Sequence, residues 1–342
     1  MNVSIESAEH RYVMPAEWVP HERCWMAWPC RERLWRGELD AARRAFAEVA
    51  TTIGRYEPVT MLARPDLMEQ AIDYCGDVVD VTAFPMDDSW MRDTGPTFVR
   101  NSEGVVAGCD WRFNGWGGKE TPHDADAGLA GALLAELGLQ RFASSIVMEG
   151  GAIHVDGRGT LLTTDSVLLN KNRNPSVPRA DMAEFLRGAL GAEKIIWLAG
   201  GLVGDMTDGH VDNVVCFVRP GVVLAQICSD ADDPNYEILQ ENRRILDSST
   251  DVQGQPLTVL SIEQPDPVIQ SGERLALSYV NFYIANGGVV MPAFGCPQDA
   301  DAYATVAAAF PHREVVQIDA RVILKGGGGI HCITQQQPAA QV

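Results

Sequence analysis

The chain has 342 residues, with 46 acidic against 27 basic side chains and a formal net charge of −19. That balance repels nucleic acid and anionic membranes and excludes them as partners; it suits a cationic substrate, or plain solubility. A hydrophobic fraction of 46% and a charged fraction of 21% are those of a globular enzyme.

In chain order, the N-terminus "MNVSIESAEHRYVMPAEW" shows neither the basic n-region nor the apolar h-region of a signal peptide, which predicts a cytoplasmic protein. No apolar run reaches the length of a membrane span. The eight cysteines are scattered and form no C-x-x-C pair, so they read as reduced thiols rather than disulfides or a zinc ribbon. A strand ("CWMAWP"), a helix ("LDAARRAFAEVATTI") and a strand ("PVTMLA") follow. Hairpins are predicted at 97–108, 152–164, 214–226 and 280–293, where Gly with Asn, Asp, Ser or Pro interrupts apolar runs. Helical patterns come after them, at "AGLAGALLAEL", 179–190, 236–249 and 299–310. Third strands follow the last three ("KIIWLA", "LTVLSI", "EVVQID"). A repeated β-β-α-β unit suggests a closed radial array rather than a doubly wound sheet. With the N-terminal part closed by the last strand, there are about five units. No linker divides them, so residues 1–342 read as one domain.

The polar segments recur at one place in each unit. "DDSWMRDTGP" (87–96), "MEGG" (148–151) and "GDMTDGHVDN" (204–213) precede hairpins, and "GGGGIHC" (326–332) precedes the tail. In a radial array such positions converge on the axis, so Asp93, Glu149, His210, Asp212 and Cys332 are expected around one pocket. A thiol is a nucleophile when a base or cation activates it. A histidine moves protons near neutral pH. Three carboxylates in one pocket repel unless a cation sits among them. A planar guanidinium, with its fork of N–H donors, fits that description. The set describes a deiminase: the cysteine attacks the guanidinium carbon, ammonia leaves and water releases a ureido product.

Each residue also has a plainer reading. Cys332 could be a small buried hydrophobe. His210 and Asp212, at strand period on one face, could serve a metal or a surface strand. Asp93 could pair with Arg92, and Glu149-Gly-Gly could be only a turn. Trp90 and Trp116 could be core aromatics or stack on a cation. His331, on the opposite strand face from Cys332, reads as structural. Lys171, Asn172 and Asn174 read as a loop scaffold.

The segments "YVMPAEW", "DSWMRDTGPTF", "EGGAIHVDGRGT", "LLNKNRNP", "TDGHVDN", "SYVNFYIANGG" and "IHCITQQQP" resemble, in order, the agmatine deiminase and bacterial-type peptidylarginine deiminase family, from about residue 12 to 338. The resemblance implies a five-bladed α/β propeller built from pseudo-fivefold ββαβ repeats. It implies hydrolysis of a small guanidino substrate without metal or organic cofactor; agmatine deiminases form N-carbamoylputrescine and ammonia. By the motifs, Cys332 is the nucleophile and His210 the general acid and then base. Asp93 and Asp212 hold the guanidinium nitrogens, and Glu149 holds the substrate or His210. Trp90, Trp116 and Gly329 line the substrate site, and the intermediate is an amidino-thioether on Cys332. A homo-oligomer is compatible with this reading. The chain departs from the family at Met206, where an acidic residue is usual, and at Gly329, where asparagine is usual. Two rim segments are also shorter, after "NGWGGKETPHDADAG" and before "SYVNF". Deiminase of another small guanidine, amidinotransferase, metal-dependent ureohydrolase and silent guanidine binder are the competing functions. Release of ammonia, release of urea, or no turnover separates them.

Overall fold

Each predicted hairpin forms, and each is joined across a helix to a third strand. The computed structural model describes residues 12–270 and 272–340. The first group of strands is β1 (His21–Ala27), β2 (Val59–Ala63) and β3 (Asp80–Ala83). Next come β4 (Thr97–Arg100), β5 (Val106–Arg112) and β6 (Gln140–Val147), then β7 (His154–Val155), β8 (Thr160–Thr164) and β9 (Lys194–Leu198). They are followed by β10 (Val215–Arg219), β11 (Val222–Ile227) and β12 (Thr258–Glu263), and by the two-stranded ribbon β13 (Ile269–Gln270) and β14 (Glu273–Arg274). The last are β15 (Tyr283–Ile284), β16 (Gly288–Ala293), β17 (Glu314–Asp319) and β18 (Thr334–Pro338).

The architecture is mixed α/β. Four three-stranded sheets share one plan, an antiparallel hairpin followed by a parallel strand, as in Thr97↔Cys109 across β4 and β5 and Ala107↔Gln140 across β5 and β6. A parallel neighbour requires a crossover, and a helix supplies it each time. The helices run over Asp124–Glu136, Arg179–Leu190, Tyr236–Ser248 and Asp299–Ala309, close to the sequence expectation. Helix Arg179–Leu190 buries Met182, Leu186, Ala189 and Leu190, the three-and-four spacing that puts one apolar stripe on its sheet.

The fifth sheet has the order β18-β1-β2-β3. Here β18, from the far end of the chain, lies antiparallel to β1 with Trp25 opposite Gln335. The closing role of the last strand is thus met, and it explains the glutamines. Gln336 Oε1 accepts the Arg92 Nη1–H at 2.8 Å, and Gln337 Oε1 accepts the Trp25 indole N–H at 2.9 Å. Among the described residues no helix is long and apolar enough to cross a membrane.

The largest apolar cluster contains Met26, Trp28, Trp35, Phe46 and Met61 and extends to Trp90, Trp116 and Cys332. Fully burying a side chain such as Phe46 or Met61 contributes about 1.5–3 kcal/mol. The polar residues described next therefore sit on a packed floor.

Candidate active site

Short turns just before the hairpins carry the polar side chains. They are the helical turn Met91–Thr94 before β4 and the 3-10 turns Gly150–Ala152 before β7, Val211–Asn213 before β10 and His331–Ile333 before β18. All five expected residues, Asp93, Glu149, His210, Asp212 and Cys332, are buried and come together. His210 lies between two carboxylates, with Nδ1 3.7 Å from Asp93 Oδ1 and Nε2 3.6 Å from Glu149 Oε2. Cys332 Sγ is 3.8 Å from Asp212 Oδ2.

The local backbone explains this convergence. Asp208 and Gly209 are both left-handed, at φ 70 and 112; a short polar side chain tolerates the first and only glycine suits the second. Asp205 ties the loop by accepting N–H bonds from Thr207 and His210. The double glycine after Glu149 is a steric requirement. A Cβ at 150 would strike the Arg92 carbonyl oxygen, and one at 151 would strike His210 Nδ1.

Each carboxylate has a distinct setting. Asp93 Oδ1 accepts the Gly151 N–H at 3.0 Å and Oδ2 accepts the Trp116 indole N–H at 2.9 Å. Burial pushes its carboxyl above the usual range, and Glu149 and Asp212 add to that. Glu149 Oε1 is 3.1 Å from Arg173 Nε. Burial would raise the Glu149 carboxyl, but His210 and Arg173 outweigh it and hold it low. Asp212 Oδ2 takes His331 Nδ1 at 2.8 Å, while Oδ1 is buried without a hydrogen-bond partner. Against the raising effect of burial, the His331 contact holds Asp212 low. Burial would lower His210, yet Asp93 and Glu149 prevail and push it up to about 9. Burial first, then Asp212 and Asp93, raise the Cys332 thiol well above its ordinary value.

Several expectations need correction. Residues 210–213 are not extended: His210 leads into a 3-10 turn, and the turn rather than a strand face presents His210 and Asp212 together. His331 is likewise in a turn, not on the far face of a strand. It bridges Asp212 and Glu17, with Nε2 3.1 Å from Glu17 Oε2. Arg92 bonds the His331 carbonyl and Gln336 instead of Asp93. Trp90 stacks on Trp35 at 6.1 Å as a core aromatic, whereas Trp116, itself left-handed at φ 54, aims its N–H at Asp93. Gly329 has no side chain to offer, and a Cβ there would come 2.8 Å from Asn281 Cγ.

Arg173, Glu17 and Asn281 are site components not anticipated from sequence. Arg173 is buried between Glu149, Asn172, Asp208 and the Thr207 carbonyl. Among the described residues, Glu17, His154 and His331 are spaced as three metal ligands would be. His154 Nδ1 accepts the Phe217 N–H at 3.3 Å, so its Nε2 carries the proton and faces Glu17 at 3.6 Å. Both His331 nitrogens face carboxylates. The three side chains are thus joined in a buried network of imidazole–carboxylate contacts.

A thiol, an imidazole raised to about 9 and three carboxylates are thus brought together in one buried cluster. The chain belongs to the Porphyromonas-type peptidyl-arginine deiminase family, whose model matches residues 13–338. It is 47% identical over 350 aligned positions to an agmatine deiminase of Pseudomonas aeruginosa, with 95% of each chain covered. To one from Medicago truncatula it is 43% identical, over 96% of this chain and 97% of that protein. A solved structure of the Enterococcus faecalis agmatine deiminase superposes with a TM-score of 0.94 at 33% identity, covering 97% of both chains.

Proposed function

We propose that this chain hydrolyses the guanidino group of agmatine to N-carbamoylputrescine and ammonia through an amidino-thioether on Cys332. The observation that carries the reading is one buried cluster in which Cys332 Sγ lies 3.8 Å from Asp212 and His210 sits between Asp93 and Glu149. The names of full-length relatives support agmatine as the substrate.

The charges set the order of steps. Near neutral pH His210 already holds its second proton, so it acts first as an acid. The Cys332 thiol proton leaves to water as the guanidinium brings its charge beside Sγ. The thiolate then adds to the guanidinium carbon. His210 donates its proton to one nitrogen, which departs as ammonia, leaving the cationic amidino-thioether. Neutral His210 takes a proton from water, and the hydroxide adds to the same carbon. The C–S bond breaks to restore the thiolate, the oxygen's proton passes to ammonia, and the ureido product leaves. Asp93 and the unpartnered Asp212 Oδ1 hold guanidinium N–H groups, and Glu149 orients His210. Trp116 and the approach by Gly329 line the substrate's path.

In this reading the five sheets are blades of a closed five-bladed propeller, residues 1–342 form one domain, and the enzyme works in the cytoplasm without cofactor. Incubation with agmatine tests it: ammonia and N-carbamoylputrescine in equal amounts are expected. Urea with putrescine, or loss of activity in chelator, would point to a metal ureohydrolase instead.

A further inference from the structure

We infer that Asn281 is a further catalytic residue: its side-chain amide donates a hydrogen bond to the Cys332 sulfur and stabilises the thiolate. The inference rests on Cys332 being the nucleophile.

Asn281 is 1% exposed, and its Nδ2 lies 3.3 Å from Cys332 Sγ. The amide's orientation is fixed by its other contacts. Oδ1 accepts the His331 backbone N–H at 2.9 Å, and Nδ2 also faces two acceptors, Asn213 Oδ1 at 3.0 Å and the Asp212 carbonyl at 3.3 Å. A flipped amide would face those acceptors with oxygen and the N–H with nitrogen. Oδ1 is 3.5 Å from Sγ, so the group accepts from the thiol and, once the proton has gone, donates to the thiolate.

The repeat places it there. Asp93, Gly150–Ala152, Asp212 and Cys332 stand just before the first strand of β4, β7, β10 and β18; Asn281 stands just before β15. The remaining unit thus contributes an amide where two others contribute Asp93 and Asp212, one the glycine turn that follows Glu149, and one the thiol. Gly329 leaves room for it, since a Cβ there would come 2.8 Å from Asn281 Cγ. The thiolate needs such a donor, because burial and the charges of Asp212 and Asp93 oppose its formation.

The test compares the parent with Asn281→Ala, Asn281→Asp and Cys332→Ala. It measures kcat and KM for agmatine, and the pH dependence of iodoacetamide alkylation read on the Cys332 peptide. Losing a hydrogen bond to a charged group predicts a kcat about ten- to a hundredfold lower in Asn281→Ala, with KM within about threefold. Its Cys332 alkylation should be about tenfold or more slower at each pH below the thiol's midpoint. Asn281→Asp keeps the shape and the acceptor for His331 N–H but turns a carboxylate oxygen toward Sγ. It should lose at least as much of both rates, and it decides alone if the alanine variant does not fold. An unmoved alkylation profile overturns the inference, whether kcat is kept or lost, since a merely structural amide would leave thiolate formation unchanged. Turnover by Cys332→Ala would instead overturn the nucleophile on which the inference rests.

Discussion

Replacing Gly151 by alanine adds one methyl group among His210, Asp93 and Asp212. The new Cβ would lie 3.0 Å from Asp93 Oδ1 and 3.1 Å from Asp212 Oδ2, and closer still to His210 Nδ1. Ordinary contacts between such atoms are about 3.5 Å, so the imidazole must retreat by on the order of 1 Å. His210 has Glu149 on its other side at 3.6 Å, so the retreat disturbs the acid's own support. A misplacement of about 1 Å costs about 100-fold in rate, or about 2.7 kcal/mol of transition-state stabilisation. Overpacking should also lower stability by about 1–3 kcal/mol. The Gly151 N–H bond to Asp93 survives, so KM should change less than kcat. Ammonia release against agmatine concentration gives both constants. Gly188→Ala is the control: it lies in helix Arg179–Leu190 with open space around its Cβ, and should stabilise by about 0.5–1 kcal/mol without touching kcat. A Gly151→Ala enzyme with kcat within about threefold of the parent would refute the packing of His210 described above.

Three further outcomes follow from the same geometry. Arg173→Met removes the arginine from Asp208 and from buried Glu149 and leaves only His210 beside Glu149, so denaturant unfolding should show a loss of up to about 3–5 kcal/mol; an unchanged midpoint would show that the buried pair does not contribute to stability. His210 is raised to about 9 and must be protonated to release ammonia, so the alkaline limb of the activity profile falls as pH rises through that value. Asp93→Asn removes a carboxylate that raises it and should move this alkaline limb to lower pH; a limb that stays in place would assign it to another group. Met206, whose side chain lies beside Gly327 in the glycine run that leads to Cys332, stands where the family usually has an acid; Met206→Glu should raise the ratio of kcat/KM for agmatine over a neutral-ended alkylguanidine, and a ratio that does not move would remove Met206 from specificity.

The repeat was legible because hairpin chemistry and apolar periodicity are local. Gly-Asn, Gly-Asp and Gly-Pro turns, with helices such as Arg179–Leu190, declare themselves within a dozen residues. The convergence of Asp93, Glu149, His210, Asp212 and Cys332 followed from their shared place in the repeat. The same logic carried to "SYVNFY" points to Asn281, so that residue had a signal which was not used. Period-two reasoning misplaced His331, because it assumes an extended backbone where the chain makes a 3-10 turn. Arg173 lies in an asparagine-rich stretch that reads as turn chemistry, and a buried ion pair leaves no periodic trace. Glu17 precedes the first strand in an aperiodic segment, and its contact with His331 spans almost the whole chain.

The central claim is a carbon–sulfur bond between the guanidino carbon and Cys332. The direct measurement is acid quenching in the first turnovers with agmatine labelled at that carbon, followed by mass spectrometry of the Cys332 peptide. The account predicts the label on Cys332, as agmatine less ammonia, appearing before the labelled ureido product and absent from Cys332→Ala. Labelled product accumulating from the first turnover while Cys332 stays unlabelled, or label on a different residue, would contradict it.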